Sequence, residues 1–174
     1  MKKFLIAFIA ILIFLSPNVS KAQSKDEWVL STGLGYSVAY ELLNKNGGSG
    51  PKYLNADYGT NDHFSLGVGI SRFSIKDGGL FGNTNLTGRS TNIGTRLLWH
   101  FGDNDNLDIY AGLRLGIIIS NFNDISWHEG GLGLSIPRVL FGVRTYFDNN
   151  VGFNFEVGSG LPYIFNGGIV YRIQ

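Results

Sequence analysis

The 174-residue sequence has no cysteine, only 4 prolines and almost no net charge. Without cysteine the chain has no disulfide framework, no thiol chemistry, no cysteine-based metal site and no lipid-modified cysteine. The formal charge of +1 includes Lys2, Lys3 and Lys21, and removing these three leaves −2 for residues 23–174. A chain with this balance has no basic patch, so no nucleic-acid partner is expected. The length suits one domain with a substantial core.

The chain also lacks an apolar run long enough for a transmembrane helix. Its longest run, Phe4–Leu15, covers 12 residues, whereas a helix needs about 20 to cross the hydrocarbon core. Lys2 and Lys3 precede this run, and Ser20-Lys-Ala22 follows it with the small residues of a cleavage site. Residues 1–22 are therefore predicted to be a secretory signal peptide, and residues 23–174 the mature protein.

The sequence is rich in glycine and aromatic residues, and its main pattern has a period of two. In Leu107–Ile118 every odd position is apolar, whereas the even positions are Asp108, Tyr110, Gly112, Arg114, Gly116 and Ile118. Such alternation predicts a β-strand with two unlike faces. Gly and Arg suit a cramped interior, and an apolar face without lysine or glutamate suits lipid. The pattern is typical of a transmembrane β-barrel strand.

Seven further segments alternate in the same way, which gives eight predicted strands. They are Trp28–Tyr40, Tyr53–Gly59, His63–Phe73, Ser90–Phe101, Leu107–Ile118, Pro137–Phe147, Val151–Gly158 and Tyr163–Ile173. Short turns alternate with longer connections, of which the longest are Glu41–Lys52, Ser74–Arg89 and Ile119–Ile136. We therefore predict an all-β fold, an eight-stranded antiparallel up-and-down transmembrane β-barrel with short periplasmic turns and longer extracellular loops.

Aromatic residues concentrate near both ends of the apolar faces, as in the girdles that mark bilayer interfaces. The predicted interface aromatics are Trp28, Tyr58, Phe64, Trp99, Phe101, Phe147, Phe153 and Tyr171 on the periplasmic side, and Tyr40, Tyr163 and Phe165 on the outer side.

These features resemble the small eight-stranded outer-membrane barrels of the OmpA/OmpX type and the outer membrane protein beta-barrel domain family. The resemblance covers residues 28–173 and lies in strand periodicity, turns and loop alternation. It implies the outer membrane of a Gram-negative bacterium, contact with outer-membrane lipid and insertion by the assembly machinery. Such barrels usually end in an aromatic residue, whereas this chain ends Tyr171-Arg-Ile-Gln174. Tyr171 and Ile173 keep the alternation and are interpreted as a variant of that signal.

The inward faces carry charged residues that we expect to form an ion network in the lumen. Simple registers across the short turns place Arg96 opposite Gly112, and Arg144 opposite Asn154. Glycine opposite a large side chain suits a lumen just wide enough for side chains to fill. The predicted network plugs the barrel; the alternative is a gate or conduction path. Its members are Asp57, Arg96, Asp108, Arg114, Arg144, Glu156 and Arg172.

One loop offers an enzyme hypothesis. Ser126, His128 and Glu129 could supply a nucleophile, a base and an orienting acid, as in barrels that modify lipid A or phospholipids. Three neighbours in one loop rarely have triad geometry, so catalysis is the alternative. His63 and His100 have no visible third ligand, so neither a metal site nor a cofactor is expected.

A secreted soluble barrel such as a lipocalin is the structural rival. It would turn the apolar face inward and expose a face of Gly, Ser and Asn that carries no lysine, which water-facing surfaces rarely show. The prediction is therefore a non-catalytic outer-membrane barrel with a structural or surface-interaction role carried by its extracellular loops: surface contact, adhesion, or docking to a surface or envelope protein. A narrow channel or an accessory barrel of a secretion system remains a further alternative.

Overall fold

A computed structural model describes residues 25–37, 49–76, 87–101, 105–123, 131–147, 150–159 and 162–173. Eight strands account for most of these residues. They are β1 (Trp28–Tyr36), β2 (Lys52–Gly59), β3 (Phe64–Lys76), β4 (Thr87–His100), β5 (Leu107–Asn123), β6 (Gly131–Tyr146), β7 (Val151–Gly158) and β8 (Phe165–Ile173). None of the described residues forms a helix that is long and apolar enough to cross a membrane.

The strands form one closed barrel in sequence order. Each strand pairs antiparallel with its neighbours along the chain, and β1 closes the barrel by pairing with β8 from Trp28–Ile173 to Tyr36–Phe165. Closure leaves no free sheet edge along the paired length. The predicted fold class, an eight-stranded antiparallel up-and-down barrel, is confirmed.

The two faces of the wall differ as the period-two pattern predicts. Leu113 and Leu115 on the outer face are 46% and 53% exposed, whereas the neighbouring Arg114 on the inner face is 2% exposed. Two small apolar clusters also lie inside the barrel. One contains Val29, Tyr146 and Val170, and the other contains Leu98, Tyr110 and Leu140.

Several strand bounds differ from the prediction, and a β-bulge explains the largest difference. The β5–β6 register shifts by one residue between Arg114 and Gly116, next to Pro137. Above this bulge the even positions of β6 face outward, and below it the odd positions do, as Val139 shows. The alternation in the sequence therefore breaks at Pro137, and the predicted loop Ile119–Ile136 is wrong at both ends. β5 continues to Asn123, and β6 begins at Gly131.

Two lysines also lie inside strands, at their outermost positions. Lys52 is the first residue of β2 and Lys76 is the last residue of β3. Tyr40 and most of the predicted loops Glu41–Lys52 and Ser74–Arg89 lie outside the described residues, as do residues 1–22.

The predicted registers are half right. Across β6 and β7, Arg144 pairs with Asn154 and Glu156 pairs with Gly142, as expected. Across β4 and β5, Arg96 pairs with Arg114 rather than with Gly112. In this hairpin Phe101 N–H donates to Ile109 O at 2.7 Å. A minimal turn would place Phe101 opposite Leu107, so the observed register is shifted by two residues. A shift of two residues keeps every side chain on its face, because the side-chain period is also two.

Aromatic residues line the outer surface near both ends of the strands. Trp28 lies 5.0 Å from Tyr58, and Trp99 lies 5.4 Å from Phe64 (ring centroids). At the other end, Tyr36 stacks on Phe165 at 4.8 Å. The remaining predicted aromatics on the outer face are Phe101, Phe147, Phe153 and Tyr171, all exposed.

Tyr163 is an exception, and its predicted place on the outer face is wrong. The ring is fully buried and lies under the Arg138 guanidinium, whose Cζ is 4.4 Å from the ring centroid. Tyr163 precedes β8, and both Ile164 and Phe165 are exposed. The alternation is therefore interrupted before the strand begins, so odd numbering no longer indicates the outer face at Tyr163.

Candidate functional site

A glycine allows the first ion pair of the lumen to form across three strands. Asp57 on β2 pairs with Gly67 on β3, and Gly67 pairs with Arg96 on β4. Because Gly67 has no side chain, Arg96 reaches over it, and its Nε lies 3.0 Å from Asp57 Oδ1. Both charged side chains are fully buried. The small inward residues thus give the large charged ones room, as a narrow barrel requires.

Glu156 on β7 connects the largest number of groups. Its Oε2 lies 2.9 Å from Arg96 Nη2 and its Oε1 lies 2.6 Å from Arg138 Nη1. Tyr110 Oη and Asn166 Nδ2 donate further hydrogen bonds to the same carboxylate, at 3.2 and 3.1 Å. Charge-assisted bonds of this kind are stronger than neutral ones. Glu156 therefore ties β4, β5, β6 and β8 to β7.

Arg144 links Asp57 to a further carboxylate, Asp108. Its Nη2 lies 2.5 Å from Asp57 Oδ2, and its Nη1 lies 3.2 Å from Asp108 Oδ2. The guanidinium also lies over the Tyr110 ring, with Cζ 4.5 Å from the centroid, which is cation–π geometry. The ion pairs are therefore continuous from Asp108 through Asp57 to Glu156.

A hydrogen-bonded series also begins at Asp108, the carboxylate on β5. It continues through His100 on β4 to Ser65 on β3. Ser65 Oγ lies 2.8 Å from His100 Nε2, and His100 Nδ1 lies 2.8 Å from Asp108 Oδ1. This is the order of groups in a Ser-His-Asp triad. However, Ser65 and Asp108 are fully buried and His100 is 2% exposed, so an acyl substrate cannot reach the hydroxyl. The geometry supports a structural tie between β3, β4 and β5.

Two residues predicted for the ion network are placed differently from the rest. Arg114 forms no ion pair with a carboxylate among the described residues; it donates to Tyr163 Oη at 3.2 Å, Asn92 Oδ1 at 2.9 Å and Gly69 O at 3.1 Å. Arg172 lies near the end of β8, where its Nε is 3.8 Å from Glu27 Oε2. Five of the seven predicted residues thus lie within one connected set of ion pairs: Asp57, Arg96, Asp108, Arg144 and Glu156.

Sequence reasoning missed two members of this set, Arg138 and His100. Arg138 lies on the inward face of β6, six residues before Arg144, so the period of two already places it in the lumen. His100 follows Arg96 by four residues on β4 and shares its face for the same reason. The pattern therefore indicates their direction, but their partners depend on the closed barrel. Ser126, His128 and Glu129, the alternative catalytic set, lie outside the described residues.

Taken together, these contacts hold the barrel wall from inside. Arg96, Arg138, Arg144 and Glu156 are buried to within 1% of full burial, and their partners come from six strands. The ion pairs and hydrogen bonds therefore connect these six strands to one another across the inner face of the wall.

No protein-family model matches the chain, and no curated protein matches its sequence. Solved structures do match its fold. The outer membrane protein OprG from Pseudomonas aeruginosa has a TM-score of 0.58 at 13% identity, covering 90% of this chain and 100% of OprG. The N-terminal β-barrel domain of Pseudomonas aeruginosa OprF has a TM-score of 0.53 at 14% identity, over 87% of this chain and all of that domain.

The attachment invasion locus protein Ail of Yersinia pestis gives a TM-score of 0.50 at 15% identity, and the match covers 86% of this chain and 99% of Ail. At these identities the likeness concerns the fold alone. The chain has the fold of the small eight-stranded barrels found among bacterial outer-membrane proteins.

Proposed function

We propose that this protein is an outer-membrane β-barrel whose lumen is plugged by its ion network and whose outer hairpins bind a protein partner at the cell surface. Exposed apolar side chains encircle the barrel, and an aromatic layer lies near each end of the strands. Both features suit a bilayer and not water. Residues 1–22 would direct export, and Tyr171 and Ile173 would present the signal for the assembly machinery.

The observation that carries the surface role is an edge of β6 that pairs with no other described strand. β6 pairs with β7 only from Leu140 to Tyr146, and its outer part, residues 131–138, pairs with β5 alone. Among the described residues, no backbone hydrogen bond joins the other edge of residues 131–137 to a further strand. An unpaired strand edge is a template on which an extended peptide can add a strand.

The side chains of the same segment favour binding. Leu132, Leu134 and Ile136 are 73%, 87% and 63% exposed. The segment lies at the outer end of the barrel, since Leu132 pairs with Ile119 in the row that also contains Arg72 and Lys52. There the outward face changes from apolar to charged. An extended polypeptide would gain backbone hydrogen bonds and apolar contacts together.

Site-specific photocrosslinking in the native envelope tests this role. A photoreactive side chain at Leu134 is expected to give a discrete protein adduct. One at Phe153, which also points outward but lies at the opposite end of the barrel, is expected to give lipid adducts only. Absence of a protein adduct at Leu134, or the same adduct at both positions, contradicts the surface role.

Membrane location needs its own test. The protein is expected in the outer-membrane fraction and should migrate faster in detergent gels before heating than after it, because the folded barrel resists denaturation. A protein recovered in the soluble periplasmic fraction would contradict the location but not the fold.

A further inference from the structure

The outer half of the lumen contains more buried positive charge than negative charge. The buried charged residues of the described chain are five arginines (Arg96, Arg114, Arg138, Arg144 and Arg172) and four carboxylates (Glu27, Asp57, Asp108 and Glu156). His100 is left out of this count. A guanidinium keeps its charge under all ordinary conditions. Within the described part of the chain, one buried positive charge therefore has no compensating buried carboxylate.

The sheet register locates this excess at Arg114. In one row across the wall, Arg96 pairs with Arg114 and Arg114 pairs with Arg138. Three like charges thus lie directly opposite one another on β4, β5 and β6, which is an unfavourable arrangement. Arg96 and Arg138 share Glu156, but Arg114, in the middle, donates only to neutral acceptors in the described strands.

Two arginines of this row also have unused donors. Arg114 Nε, Arg138 Nε and Arg138 Nη2 are buried without a hydrogen-bond partner among the described residues. Arg114 is 2% exposed and Arg138 is fully buried. A buried charge with unsatisfied donors is costly unless a counter-charge is supplied. The strands that the structure describes supply Glu156 to Arg138 but no carboxylate to Arg114.

Small polar side chains lie on the outer side of this arginine row. Ser71, Ser90 and Asn92 are buried on inward faces, and Ser71 Oγ also lacks a partner among the residues described. Asn92 Nδ2 donates to Ser135 Oγ at 2.9 Å. Hydroxyl and amide groups next to a row of buried arginines form a polar, positively charged environment. Such an environment suits a small anion and not a cation or an apolar ligand.

We infer that the outer half of the lumen binds a small inorganic anion, held by Arg114 and Arg138. The ligand is of halide to phosphate size, because the interior of an eight-stranded barrel is only about as wide as the side chains that line it. The anion completes the charge balance of the arginine row. This site does not depend on the surface role proposed for β6.

Bromide is a suitable probe, because it can be located by anomalous scattering. Crystals of the purified barrel soaked in sodium bromide should show an anomalous peak within hydrogen-bonding distance of Arg114 Nε or the free Arg138 donors. A lumen without such a peak overturns the inference. This readout uses the unmodified protein, so it does not depend on whether a variant folds.

A measurement in solution provides a second test of the anion site. At constant ionic strength, balanced with bulky gluconate, the unfolding midpoint should rise with anion concentration and then saturate, since a ligand that binds only the folded state stabilises it. The rise should be lost in Arg114→Gln and retained in Arg89→Gln. Arg89 is exposed on the outer surface, so this control makes the same charge change outside the lumen.

The anion series also defines the ligand. A rise with bromide alone indicates a halide-sized site, and a rise with phosphate and sulfate as well indicates an oxyanion site; both support the inference. An equal anion dependence in the unmodified protein and Arg114→Gln overturns it.

Discussion

Asp57 Oδ1 occupies the space that a side chain at Gly67 would need. A Cβ built on Gly67 collides with this oxygen and lies 2.7 Å from Ala56 O. The same oxygen accepts the bond from Arg96 Nε. The glycine is therefore a condition for the ion pair that spans β2 and β4.

Gly67→Ala is expected to destabilise the barrel by about 1–3 kcal/mol, the usual cost of inserting a methyl group where there is no room. Denaturant unfolding in detergent would measure the loss. Gly133→Ala is the matched control, because a Cβ there meets nothing within 4 Å. Equal stabilities for the two variants would show that Gly67 is not required for packing.

Asp57→Asn should be more damaging than any surface change. It removes the carboxylate shared by Arg96 and Arg144, and loss of one partner from a buried ion pair typically costs about 3–5 kcal/mol. Asp62→Asn makes the same chemical change in the β2–β3 turn and should shift the unfolding midpoint little. A loss for Asp57→Asn no larger than that of the control would show that the ion network contributes little stability.

The proposed plug of the lumen predicts poor conduction. Buried side chains of Arg96, Arg138 and Arg144 fill the lumen around Glu156, so the purified protein should pass no large, steady currents in planar bilayers. Replacing Arg96 and Arg138 together with alanine should raise the conductance, whereas Arg89→Ala should not. Large steady single-channel currents from the unmodified protein are incompatible with a plug.

The burial of the Ser65-His100-Asp108 series predicts that Ser65 does not react with serine-directed probes. Because Ser65 is fully buried, a fluorophosphonate probe should not label the folded protein. Labelling that disappears in Ser65→Ala would contradict the structural role. It would instead support an enzyme whose nucleophile is Ser65 and not a residue of the His128 loop.

The period of two is sufficient to predict which way most side chains point. Residues that face lipid are apolar, whereas residues that face the narrow lumen are small or polar. Because neighbouring residues face opposite sides, this alternation is visible in the sequence. The β6–β7 register is also predictable, because the connection from Phe147 to Val151 is short. Periodicity and turn length together are enough to place Glu156 opposite Gly142.

The errors arise where a local rule is interrupted. The bulge at Pro137 reverses the inward and outward positions of β6, so the alternation does not reveal the outer half of this strand. The irregular residues before β8 turn Tyr163 inward. The β4–β5 register depends on how the Gly102–Asn106 connection closes, which length alone does not determine. Arg138 and His100 escape prediction as network members because their partners lie on strands that meet only in the closed barrel.

The outer face of the barrel wall contacts lipid, and spin-label accessibility measures this directly. The chain has no cysteine, so single cysteines can be labelled without background at Leu113, Leu115 and Ile117 on the outer face and at Ser90 and Ser120 on the inner face. In bilayers, oxygen should relax the three outer labels more strongly than a water-soluble agent does, and the two inner labels should show no such preference. Equal oxygen accessibility on the two faces, or a reversed pattern, would contradict the account.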